Sequence, residues 1–71
     1  MIEYHPMGEY EWKPGKTHTL FVTTGCDTME QAIRAIKVWR DDYKFKITKA
    51  WIDVHEDKQI VKTIDVDVDT I

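Results

Sequence analysis

Apolar and polar residues change their spacing three times along this chain. In Thr17–Thr24, THTLFVTT, β-branched and aromatic residues crowd together, which predicts a strand. From Met29 onward the apolar residues Met29, Ala32, Ile33, Ile36, Trp39 and Tyr43 fall on one stripe of a helix. Arg34, Lys37, Arg40 and Asp41 fall mostly on its other side. Near the end, Ile64, Val66 and Val68 alternate with Asp65, Asp67 and Asp69, the period-two signature of a strand with one wet side.

Punctuation sets the expected boundaries. His5-Pro6 and Gly8 interrupt the first residues, so Met1–Gly8 is expected to be irregular and Glu9–Trp12 a short strand. KPGK, Lys13–Lys16, is a turn: Pro14 presets φ and Gly15 supplies a positive φ. Gly25 ends the second strand. Asp27, with Glu30 three residues later, has the spacing of a capping box, and the helix is expected to stop near Asp42 or Tyr43. Phe45–Val54 predicts a third strand, His55–Gln59 a polar turn, and Ile60–Asp69 a fourth strand. The resulting order is ββαββ. The expectation is an α+β fold: one domain over residues 1–71, with a small antiparallel sheet of about four strands packed on one amphipathic helix.

One helix covers one face of a sheet, so the side chains pointing the other way are those available for contact. Alternation puts Leu20 and Val22 inward and Thr17, Thr19, Phe21 and Thr23 outward. In the last strand Ile60, Ile64, Val66 and Val68 are expected inward, and Val61, Thr63, Asp65, Asp67 and Asp69 outward. The third strand is apolar on both sides. If Ala50, Ile52 and Val54 meet the helix, the open face gathers Phe21, Phe45, Ile47 and Trp51, a patch of the kind that marks an interface. Self-association as a homodimer is the simplest use of it. A bulge would instead turn Trp51 inward.

Composition sharpens this reading in a few places. Seventy-one residues with 42% hydrophobic and 32% charged content fit an ordinary small globular domain. Cys26 is the only cysteine, so no disulfide staples the monomer, and a reducing, cytoplasmic setting is expected. The N-terminal residues lack the features of a secretory signal, and no apolar run is long enough for a membrane span. The net charge of −3 disfavours non-specific nucleic-acid binding, yet it is uneven. Residues 27–49 carry six Lys/Arg against four Asp/Glu, whereas residues 50–71 carry two against six.

The candidate chemistry is sparse. Asp65, Asp67 and Asp69 on one strand would stand about 7 Å apart in a row, too far to converge on one ion. The glycine and later glutamate of a calcium loop are missing. The three are read as a solvent face that discourages edge pairing, or as a charged docking surface. His5, His18 and His55 have no zinc-motif spacing, with or without Cys26. Cys26 precedes the helix, where a thiol pKa can fall, but no base is placed beside it. Thr23-Thr24-Gly25 could approach an anion at the helix N-terminus, although Asp27 and Glu30 would repel phosphate. Phe45 and Trp51 with Lys44, Lys46 and Lys49 could form a nucleic-acid stacking platform.

The expectation from these residues is a non-catalytic protein–protein interaction module, without cofactor or metal. It would be a small acidic inhibitor or accessory protein of the phage or mobile-element kind. Its contact residues would be Phe21, Phe45, Trp51, Asp65, Asp67 and Asp69, engaging a protein partner or a second copy. The alternative is a small nucleic-acid-binding domain using the aromatic and lysine surface.

Overall fold

Four strands and one helix form in the expected order. In the computed structural model, which describes residues 1–71, these are β1 (Ile2–Lys13), β2 (Lys16–Phe21), α1 (Met29–Asp42), β3 (Lys46–Glu56) and β4 (Gln59–Val66). They build one antiparallel sheet in the order β2-β1-β3-β4, an α+β fold. The two long strands are central. The chain leaves the edge strand β2, crosses β1 by way of α1, and enters the sheet again at β3.

Met1–Gly8 is not irregular, contrary to the sequence expectation. It supplies most of β1, the longest strand. Pro6 and Gly8 are tolerated there for separate reasons. The Pro6 carbonyl accepts from the Val22 N–H at 2.9 Å, so the hydrogen-bonding edge of Pro6 points toward β2, away from β3. Its missing N–H therefore leaves no gap in the β1–β3 ladder, and β2 has already ended at Phe21. Gly8 lies beneath Trp39. A Cβ at Gly8 would stand 2.2 Å from Trp39 Cη2, so only glycine lets the indole lie on the strand.

The KPGK turn forms as expected, with Gly15 at φ 79°. The second strand is shorter than expected. Beyond Phe21 the chain runs beside β1 as a separate strip, and Tyr4 and Cys26 exchange backbone hydrogen bonds at 2.9 and 2.8 Å.

The helix cap sits one residue later than the sequence suggests. Thr28, not Asp27, is the N-cap: its Oγ1 accepts from the Gln31 N–H at 3.2 Å. Gln31 Oε1 reaches back to accept from the Asp27 N–H at 3.0 Å. Thr28 and Gln31, rather than Asp27 and Glu30, thus make the capping contacts, with Gln31 closing on the residue before the N-cap instead of on the N-cap itself. The helix ends at Asp42, and Tyr43 takes the extended C-cap position without a glycine.

The core is thin. Ala32 and Ile36 of α1 meet Ala50 and Ile52 of β3, with Tyr4, Ile33, Trp39, Val66 and Val68 packed around them. Eight residues of the chain are buried. A 14-residue helix is about 21 Å long, against a longest dimension of 39 Å, so α1 covers only part of one sheet face. It lies chiefly over β1 and then β3.

Two register irregularities in the β3–β4 half overturn expected side-chain directions. Glu9 pairs with Lys49 but Tyr10 with Ile47, so Thr48 is an extra residue in β3. Its hydroxyl donates to Glu9 Oε1 at 2.6 Å. This bulge reverses the alternation ahead of it. Ile47 and Phe45 therefore lie on the helix side with Tyr10, and only Trp51 of the expected β3 patch remains on the open face. In β4, Val54 pairs with Lys62 but His55 with Ile60, so Val61 is extra and Ile60 faces away from the helix. The last strand also ends early, at Val66. Asp67–Thr70 is a turn, with Asp67 Oδ1 accepting from the Asp69 N–H at 2.9 Å. Arg40 of α1 holds this tail by donating to the carbonyls of Val68, at 2.9 Å, and Ile71.

Candidate interaction surface

The open face is laid out by cross-strand register, because directly opposed residues of antiparallel strands share a face. Its middle row is Phe21 (β2), Met7 (β1), Trp51 (β3) and Asp65 (β4). Phe21 is 74% exposed and Trp51 is half-buried, whereas Met7 between them is only 8% exposed. An apolar ridge thus crosses three strands on a face with no helix over it.

Charge is distributed unequally on the two sides of this ridge. Toward the β1–β2 turn, Glu9 stands opposite Lys49 and Glu11 opposite Lys46, so carboxylates and amines alternate. Toward the β3–β4 turn stand Glu3 and Asp53 with no lysine or arginine opposite them, and Asp65 ends the middle row beside Trp51. The Asp53 carboxylate is fixed by the Thr63 hydroxyl, which donates to Oδ1 at 3.0 Å. Two imidazoles complete this half. His5 and His55 stack with ring centroids 4.0 Å apart, and His5 Nε2 lies 3.7 Å from Glu3 Oε1.

Three of the expected contact residues, Phe21, Trp51 and Asp65, come together on this face. The other three do not join them. Phe45 belongs to an aromatic group at the C-terminal end of α1, with ring centroids 5.5 Å from Tyr10 and 5.7 Å from Tyr43. Asp67 and Asp69 lie beyond the end of β4, where β3 continues past it. With Asp65 and Lys49 they line a notch of about 440 Å³ at the sheet edge. No three His, Cys, Asp or Glu side chains converge anywhere as metal ligands would. The expected nucleic-acid platform is also divided: Phe45 and Trp51 are on opposite faces, and Lys46 and Lys49 stand opposite glutamates.

The sequence reading missed Met7, His5, Glu3 and Asp53 as neighbours of this surface. A signal for the first strand was present. Ile2, Tyr4, Tyr10 and Trp12 alternate with Glu3, His5, Glu9 and Glu11, but Pro6 and Gly8 broke the apparent pattern in the middle.

A second concavity lies on the helix side. Because α1 sits over β1 and β3, the flank toward β2 is open, leaving a groove of about 650 Å³ between Val22–Asp27 and the helix. Ala35, Val38 and Trp39 form its helical wall, and Cys26 lies in the opposite one. Burial raises the Cys26 thiol above its ordinary pKa, and the Asp27 carboxylate adds to the rise. Cys26 Sγ donates to the Thr24 carbonyl at 3.6 Å. An activated thiolate needs the opposite shift. Alkylation of Cys26 by iodoacetamide is therefore expected to be slow at neutral pH and to accelerate only in the alkaline range. A fast, pH-independent reaction near neutrality would contradict that environment.

No helix is long and apolar enough to cross a membrane. No family model, curated protein or solved structure matches the chain.

Proposed function

We propose that this chain is a non-catalytic protein–protein interaction module that docks through the open face of its sheet. The observation that carries the reading is the Phe21–Met7–Trp51 ridge on a face that α1 leaves uncovered. Buried aromatic anchors surrounded by polar residues are the usual source of affinity in protein interfaces. Here the aromatic pair flanks a side chain already shielded from water, so the ridge is partly ordered before a partner arrives, which lowers the cost of binding. An inhibitor or accessory subunit would work in this way, by covering a site on a larger protein. The single free thiol supports a reducing, cytoplasmic setting for it.

The test is selection of binders from a displayed random-peptide library on the folded protein, followed by variants of the ridge. Trp51→Ser and Phe21→Ser are each expected to weaken the selected binders by about tenfold or more, the loss typical of an aromatic anchor. Binders indifferent to both substitutions would place the contact elsewhere.

A further inference from the structure

We propose that the partner of the open face is a basic protein surface, one that presents an arginine or lysine beside an apolar anchor. The inference rests on the reading of that face as a docking site and adds the chemistry of what docks there. Five carboxylates point from the open face, and only two amines do. Lys46 and Lys49 stand opposite Glu11 and Glu9, and Lys49 is also the diagonal neighbour of Asp65, so the face carries a surplus of three carboxylates, with Glu3 and Asp53 furthest from an amine. The surplus adjoins the ridge, because Asp65 ends the ridge's own row as the register partner of Trp51 and Asp53 is two residues beyond Trp51 along β3.

This arrangement suits a guanidinium in particular. Asp53 and Asp65 are diagonal neighbours on adjacent strands, about 7 Å apart, and Trp51 stands beside both. A guanidinium placed between them can donate charge-assisted hydrogen bonds to both carboxylates and lie against the indole at once. The Asp53 carboxylate is already oriented by Thr63, so little side-chain freedom remains to be lost.

The same charges argue against the other occupants. A second copy docking face to face would bring another surface of five carboxylates and two amines against this one, and like charges across an interface are unfavourable. Nucleic acid would bring phosphates against the same group. A basic protein surface is the partner that both the ridge and the carboxylates favour.

The peptides selected on the folded protein decide the matter. They are expected to be rich in arginine or lysine next to an aromatic or aliphatic residue. Their affinity should fall about tenfold or more in the Asp53→Asn/Asp65→Asn variant, as when one side of a charge pair is removed. It should also fall between roughly 0.05 and 0.5 M salt, as the Debye length shortens. Circular dichroism confirms folding of each variant, and Phe21→Ser, at an exposed position, keeps the test available if Trp51→Ser unfolds. Peptides that depend on Phe21 and Trp51 but are neutral or acidic, or that ignore the asparagine variant, overturn the basic partner and leave the docking face standing. Scrambled peptides that bind equally well overturn it too, because the attraction is then non-specific. Failure to select any binder, or binders indifferent to the ridge, overturns both.

Discussion

The two faces of this sheet are made from the same four strands, and they bury their side chains by different means. On the helix side, Ala50 and Ile52 of β3 are covered by Ala32 and Ile36, and Gly8 is covered by Trp39. On the open side only Met7 is buried, between its strand neighbours Phe21 and Trp51. The first face owes its burial to a separate element packed on top. The second owes it to the lateral neighbours within the sheet, which themselves remain wet. Substitutions should therefore act on stability through the first face and on binding through the second.

The sharpest way to break this comparison is Ile36→Ala. Ile36 is fully buried at the centre of the helix contact, and the loss is expected to be about 2–5 kcal/mol. In a domain with about 5 kcal/mol to lose, this largely unfolds the chain, as thermal or urea denaturation would reveal. A stable Ile36→Ala protein would mean that the sheet does not depend on the helix. Gly8→Ala comes next. Its methyl group requires the Trp39 indole to move, and overpacking of this sort costs about 1–3 kcal/mol. A neutral result would show that the indole shifts freely. Thr28→Ala removes the oxygen that accepts from Gln31, for about 1 kcal/mol. Asp27→Ala is the control, since the competing cap assignment predicts the loss there instead. Phe21→Ser has the smallest expected effect, within about 0.5 kcal/mol for an exposed site. Marked destabilisation by it would mean that the open face contributes to the core after all.

How much of this was legible in the sequence varies from element to element. The helix could be read from Met29 to Tyr43 because its stripe depends on neighbours three and four residues away. The Pro14-Gly15 turn could be read because both residues have narrow backbone preferences. Alternation predicts Phe21, Trp51 and Asp65 on one face and the register puts them in one row, since no bulge intervenes between Trp51 and the β1 and β4 residues it faces. Phe45 and Ile60 lie on the faces opposite to those that alternation predicts, because one inserted residue in each strand, Thr48 and Val61, reverses everything on its far side. The last strand is shorter than the alternation predicts, because Asp67 and Asp69 continue the pattern after the chain has turned to meet Arg40.

The sequence by itself determined the α+β class, the element order and the amphipathic helix, all of which follow from periodicity within a few residues. Tertiary structure decided which strands are central, where the alternation slips and which carboxylates share a face. Those outcomes depend on partners far away in the chain. Pro6 and Gly8 show the reason most directly. In isolation they mark breaks, but they are compatible with a central strand here because Pro6 turns its missing N–H away from β3 and Trp39 needs the space that a side chain would fill.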